Sequence, residues 1–188
     1  MKTKFSAIFW CGLLAAAVSH NATAATDTAA TLQITGAVTD SQNDDCHIDF
    51  GNMTSINLDT RLDKMMPEGV YNGAQATPVL IYVRGDNPES TCTQRINNHQ
   101  IALKFTGIPD SANGQTLGNT LSDENAAQGI GVELFHDNKS VPVNSQLPLT
   151  NTGSMGNMEI DLQMVKLDGQ SPAGGQIQSN LTVEVVRL

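Results

Sequence analysis

The sequence predicts an all-β fold, an antiparallel sandwich of short strands joined by turns. Three observations carry that expectation. No stretch shows a sustained helical period with caps. Eight short runs are instead rich in β-branched residues or alternate apolar with polar ones. Gly, Asn, Asp and Pro separate these runs at short intervals, as in a chain of strands and turns.

Before the first run lies a segment with a different purpose. Met1 to Lys4 is positively charged, Phe5 to Val18 is apolar, and Ala22-Thr23-Ala24 is a small-residue cleavage site, so residues 1–24 read as a secretory signal. The apolar stretch, about 14 residues, falls short of the roughly 20 that cross a bilayer. Cys11 is expected to leave with the signal. The mature chain is expected to be soluble and to start at Ala25, and its length of about 164 residues suits one domain with a real hydrophobic core.

The strand candidates follow in order: Thr31–Thr39, Cys46–Phe50, Ser55–Asp59, Val79–Arg84, Gln100–Thr106, Gly131–His136, Met158–Lys166 and Leu181–Val186. Alternation assigns their faces, because successive side chains of a strand point to opposite sides of the sheet. Ile101, Leu103 and Phe105 share one side, as do Ile130, Val132 and Leu134, which puts Lys104 and Glu133 on the expected solvent side. Asn72-Gly73, Asn113-Gly114, Asp168-Gly169 and Gly174-Gly175 are expected to supply positive φ at turns. Pro109 to Gln128 is polar and reads as a long surface connection with one helical turn near Ser122–Ala127.

Two cysteines remain once the signal is gone, Cys46 and Cys92, in a chain addressed to an oxidising compartment; a single disulfide is expected. Closing a loop of about 46 residues contributes about 4 kcal/mol in the chain-entropy model.

Composition excludes several functions. The mature part keeps 8 of the 10 basic residues and all 19 acidic ones, a net charge near −11, so nucleic acid and anionic membranes are poor partners. His47, His99 and His136 have no spacing of a metal site. The acidic run from Asp40 to Asp45 lacks the glycine and distal glutamate of a calcium loop and reads as a surface turn. There is no nucleophile elbow and no phosphate-binding glycine loop, so neither a catalytic residue nor a cofactor is assigned. The triplets starting at Asn52, Asn138 and Asn180 fit the glycosylation pattern, which arises often by chance.

The two ends of the mature chain form a pair. Ala30, Leu32, Ile34, Gly36 and Val38 occupy alternate positions near the start, while Leu181, Val183 and Val185 share a face in a run that reaches Leu188. A closing strand of this kind leaves a sheet edge for another strand to cover, and a detachable strand at the front fits such an edge on a second copy. This points to polymerisation by strand exchange.

In these residues the chain resembles the pilin subunits of chaperone–usher fimbriae, similar to those of type 1. The resemblance rests on Thr31 to Val38 ahead of Cys46-His47-Ile48-Asp49, on Val79 to Val83 leading to Cys92, on Gln128 to Leu134, and on the Pro172 to Gly175 turn before the closing strand. It implies an immunoglobulin-like β-sandwich lacking its final strand, completed by a donor strand from another chain. It also implies three segments: the signal at 1–24, a donor-strand extension at 25–38 that overlaps the first strand, and the pilin domain at 39–188. Ala30, Leu32, Ile34, Gly36 and Val38 are then the donor residues, Gly36 standing where a side chain would obstruct close approach. Leu181, Val183, Val185 and Leu188 would form the acceptor groove and chaperone contact. The implied partners are a periplasmic pilus chaperone, an outer-membrane usher and neighbouring pilin subunits, on a route through the periplasm to a fimbrium at the cell surface with a role in adhesion. The alternatives are a carbohydrate-binding adhesin module or a fibre-terminating subunit. One departure concerns the end: the family commonly closes with an aromatic residue next to the terminus, whereas this chain closes with Val186-Arg187-Leu188.

Overall fold

The computed structural model describes residues 27–38, 46–51, 53–151 and 153–188. The signal, the first two residues of the extension, the acidic run from Asp40 to Asp45 and Asn52 of the first glycosylation triplet lie outside the described residues.

Two sheets pack against each other. One has the strand order β3 (Ser55–Arg61), β1 (Asp27–Val38), β11 (Gln176–Arg187), β6 (Ile101–Gly107) and β9 (Ser145–Pro148). The other runs β2 (His47–Asp49), β5 (Thr77–Arg84), β10 (Met155–Lys166), β7 (Ile130–His136) and β8 (Lys139–Val141), with the two-residue β4 (Met66–Pro67) beside β10. The neighbours along each of these orders are antiparallel except β1 and β11, which run parallel. This is an immunoglobulin-like β-sandwich.

Each of the eight runs named from the sequence contributes to a strand, for the reason that made it legible. Val79, Ile81 and Val83 of β5 are fully buried, and Met158, Ile160 and Leu162 of β10 lie against them or beside β7. Leu103 and Phe105 of β6 and Leu181, Val183 and Val185 of β11 supply the facing layer of the same core.

One element lies where the sequence shows no sustained helical period. Helix α1 (Thr91–Asn97) begins at Ser90, whose hydroxyl accepts a hydrogen bond from the Thr93 N–H at 3.1 Å. A serine cap satisfies one of the N–H groups left over at a helix start. Seven residues are too few to show a period in sequence. Packing holds the helix in place: Ile96 is fully buried, and Cys92 is joined to Cys46 by a disulfide with the Cα atoms 5.2 Å apart.

The turns divide in two. Gly114 and Gly169 have the expected positive φ, +74° and +71°. Gly73 and Gly175 do not, which corrects the reading of both pairs. At Gly175 the glycine serves close approach instead, since a Cβ there would lie 2.5 Å from the Asn125 carbonyl oxygen. The Ser122–Ala127 stretch contains a hydrogen-bonded turn, Ala126 N–H to the Asp123 carbonyl, and no helix. A hairpin absent from the sequence reading joins β7 to β8 through Asp137 and Asn138, both at positive φ (51° and 63°), as the favoured two-residue hairpin turn requires.

Glu133 overturns the expected solvent-facing position. It is 1% exposed, and Phe135 two residues on is fully buried. The cause is the chain between β3 and β5, which crosses the outer face of this sheet. Tyr71 stacks at a tilt on Phe135 with ring centroids 5.3 Å apart, and its hydroxyl donates to Asp161 at 3.0 Å. Gln163 accepts from the Asn72 N–H and donates to the Val70 carbonyl, while Glu133 accepts from the Gly69 N–H at 2.9 Å and from the Ser140 hydroxyl. Buried polar groups are tolerable when paired in this way.

Candidate strand groove

The site built by the two chain ends is a groove between β3 and β11, and in this structure β1 lies in it. On one side β1 pairs antiparallel with β3, placing Thr28 opposite Thr60, Ala30 opposite Leu58 and Leu32 opposite Ile56. On the other it pairs parallel with β11, which sets Leu32 opposite Ser179, Ile34 opposite Leu181, Gly36 opposite Val183 and Val38 opposite Val185. The register therefore aligns the alternate positions of β1 with the buried positions of β11, which also include Ile177 and Ser179.

The floor and walls are apolar. Leu181 and Val183 are fully buried, Val185 is 6% exposed, and Ile56 and Leu58 complete the β3 side. Leu32 is fully buried among them. Burial of one such side chain contributes about 1.5–3 kcal/mol, and each strand hydrogen bond adds about 0.5–1.5. Ser179 is accommodated because its hydroxyl donates to the Gly118 carbonyl at 2.7 Å.

The fit is uneven along β1. Thr28, on the same side as Leu32 by alternation, is fully buried, yet its hydroxyl has no hydrogen-bond partner among the described residues. An orphaned buried hydroxyl costs about 1–3 kcal/mol. β3 pairs with residues 27–33 only, so among the described strands the stretch 34–38 is held by β11 alone.

The structure thus brings together the positions of Ala30, Leu32, Ile34, Gly36 and Val38 with Leu181, Val183 and Val185. Leu188 stands apart: it lies past the end of β11 with 60% of its surface exposed, and its N–H donates to the Gln100 carbonyl. Two features escaped the sequence reading. One is Thr28, which shares its parity with Leu32 and is not among the donor residues named from the sequence. The other is the direction of β1, since alternation specifies a face and carries no sign of direction. The histidines take separate local contacts: His47 Nε2 lies 2.6 Å from Asp86, His136 Nδ1 lies 2.8 Å from the Glu159 carbonyl, and His99 sits at positive φ after α1. Among the described residues no group of three or more His, Cys, Asp or Glu is placed to hold a metal ion.

A family model described as "Fimbrial protein" matches residues 26–186. Among solved structures, the chain is similar to an antigen and type I fimbria protein of Burkholderia pseudomallei, at 20% identity and a TM-score of 0.45, over 85% of this chain and 97% of that one. It is also similar to the CupB6 tip adhesin of Pseudomonas aeruginosa, at 11% identity and a TM-score of 0.38, over 58% of this chain and 33% of that one. No curated protein matches the sequence.

Proposed function

Because the chain belongs to the fimbrial protein family, we propose that it is a structural subunit of a chaperone–usher pilus, with a role in adhesion, which polymerises by donor-strand exchange. The observation that carries this reading is the groove itself. β3 and β11 each offer a hydrogen-bonding edge to a strand lying between them, over a floor that contains Leu181 and Val183. A sheet with that position empty would expose both edges and an apolar row, which is a sticky surface. Donor-strand exchange fills it by β-augmentation, main-chain hydrogen bonds giving affinity and alternate side chains giving fit.

In this reading residues 25–38 of one subunit enter the groove of the next, with Ala30, Leu32, Ile34, Gly36 and Val38 facing Leu181, Val183 and Val185. A periplasmic chaperone holds the groove until an outer-membrane usher hands the subunit to its neighbour, with Leu188 on the exposed side of the chaperone contact. The secretory signal at 1–24 directs the chain on that route.

The test compares Ile34→Asp and Gly36→Arg with the unaltered chain, scoring co-purification with the chaperone and incorporation into polymer. A charge at Ile34 would have to be buried unpaired in a neighbour, at a cost of several kcal/mol. The expected result is a chaperone complex that persists and a polymer that fails. Loss of the chaperone complex with both variants would make β1 part of its own domain's core and overturn the reading.

A further inference from the structure

We infer that neighbouring subunits hold one another at a second contact, in which the exposed Met155 of one copy fills a pocket at the opposite end of the next. The inference rests on the reading of β1 as a donor strand, and adds to it a joint outside the groove.

The pocket, about 390 Å³, opens at the end of the sandwich where β10 stops and β11 starts. Ala127, Ile130 and Leu167 are its buried residues, Pro109 and Gln128 are exposed at its rim, and no charged side chain lines it among the described residues. One wall is fixed from within the chain. The Asn119 amide donates to the Ala127 and Gln176 carbonyls and accepts from the Leu121 and Gln178 N–H groups. With that amide satisfied and the floor apolar, a neutral apolar side chain suits the pocket, since a charge buried there would be unpaired.

Met155 has the matching character. It is 42% exposed at the first position of β10, and the sequence from Thr150 to Met158 carries no charge. Methionine is unbranched and adapts to irregular gaps. The 12 residues of β10 span roughly 35–40 Å, so Met155 cannot reach the pocket of its own chain.

Chain reach brings the two surfaces together. Val38 ends β1 and Cys46 precedes β2, so eight peptide steps, about 27 Å at most, separate a donor strand from the body that carries it. That body begins near Met155: His47 pairs with Arg84 and Arg84 with Met155, two strand spacings or about 10 Å. The direction of the donor then selects the surface it meets. In the parallel register Val38 leaves beside Val185, at the Met155 end, where Leu188 bonds Gln100 and Gly153 bonds Asn97. A fibre built in that direction would need this one end for both joints of every subunit. Turning the strand about the Ile34–Leu181 pair removes the conflict, because alternate residues keep their faces while Ala30 meets Val185 and Val38 meets Ile177. Ile177 stands between Gln176 and Gln178, the two residues that hold Asn119 at the pocket wall. The Met155 end of the donor subunit is thereby tethered against the pocket end of the acceptor, and this head-to-tail contact repeats along an open filament.

Cysteines on the two surfaces test the contact. Gln128→Cys and Met155→Cys are introduced together into the full chain, each is also made alone, and all are exported with chaperone and usher. Fibres are unfolded without reductant, so that Cys46–Cys92 stays intact, and the chains are sized on a denaturing gel. The expected result is a cross-link between chains in fibres of the double variant, absent from its chaperone complex and from both single variants. In parallel, Met155→Asp puts a charge on the inserted residue and Gln128→Trp puts bulk at the pocket, both at exposed positions. Both should keep the chaperone complex and give fibres that shed subunits about tenfold faster or more in fixed urea, the factor expected when a methionine side chain returns to water.

Fibres of the double variant without a cross-link would overturn the contact and leave the donor-strand reading standing. Substituted fibres as durable as the unaltered one would do the same. If Met155→Asp or Gln128→Trp loses the chaperone complex through misfolding, the cross-link alone decides. An unaltered chain that forms no fibre with chaperone and usher would overturn the donor-strand reading, and the contact with it.

Discussion

The two sheets bury similar rows of apolar side chains but are closed by different means. In the sheet of β5, β10 and β7, both faces are covered by residues fixed in the chain: the core lies on one side, and Gly69, Tyr71 and Asn72 cross the other, pairing Glu133, Asp161 and Gln163. In the sheet of β3, β1 and β11, closure depends on one strand from the chain end. That strand carries a buried hydroxyl with no partner among the described residues, and β3 pairs with residues 27–33 of it. On the proposed reading of β1 as a donor strand, the difference separates a permanent scaffold from an exchangeable part, and each half makes its own prediction.

The largest effect is expected at the disulfide that ties the start of β2 to α1. Cys46 precedes β2 in one sheet and Cys92 lies on α1, and both are buried. Replacing both by Ser is expected to cost about 4 kcal/mol, because the unfolded chain regains the freedom of a loop of 46 residues. Urea unfolding of the purified subunit measures it; a change below about 1 kcal/mol would contradict the loop argument.

Truncation should then distinguish the scaffold from the exchangeable strand. Ile160→Ala in β10 and Leu32→Ala in β1 each remove a fully buried side chain, for about 3 kcal/mol in the closed monomer. With the groove filled by a chaperone strand, Ile160→Ala should keep its full cost and Leu32→Ala should lose most of its own. Thermal unfolding with and without chaperone checks this, and equal losses in both states would remove the distinction between the sheets.

Two buried carboxylates give a smaller effect of opposite sign. Burial, with Glu68 and Asp168 nearby, raises the Glu133 pKa above the ordinary 4.5, even though Ser140 and Gly69 hydrogen-bond the carboxylate. Its contribution is complete at pH below the unfolded value and is lost as pH rises through the folded one. Burial also acts upward on Asp110, but hydrogen bonds from the Thr116, Ala112, Gly114 and Asn113 N–H groups outweigh it and hold its pKa below 3.8. Its contribution is present above the unfolded value and is lost as pH falls through the folded one. Glu133→Gln should therefore flatten the stability profile above about pH 4.5, and Asp110→Asn should flatten it below about 3.8. Chemical denaturation across pH 3 to 7 reads both; the same sign of change in the two variants would refute the assignment.

How much of this was legible follows from what a sequence pattern encodes. Alternation in runs such as Val79-Leu80-Ile81-Tyr82-Val83 states both the strand and its buried face, and the structure agrees. β8 and β9, of three and four residues, are too short for a pattern, and the hairpin of β7 and β8 is marked only by Asp137-Asn138. Glu133 was misplaced because alternation assumes one solvent face, and it cannot register that a distant segment crosses that face. In the groove, Leu181, Val183 and Val185 were legible as a row that needs a cover. That the cover in this structure is the chain's own β1, parallel to β11, depends on a pairing across about 150 residues, on which local periodicity is silent.

The smallest expected effect lies within β1 itself. Residues 29–33 lie between two strands, whereas 34–38 pair with β11 alone among the described strands. A strand's N–H groups point alternately to its two edges, so in the first stretch both sets have a partner strand and in the second the edge turned from β11 has none among the described strands. Local opening free energy falls where backbone bonds are few and solvent has access. Amide exchange in the monomer should therefore be protected across 29–33 and reduced at alternate positions of 34–38, at no cost to global stability. Exchange followed residue by residue by NMR decides it. Uniform protection along all of β1 would mean that the stretch beside Leu181 to Val185 is held as firmly as the rest, and an incoming strand would then have no weak end at which to begin.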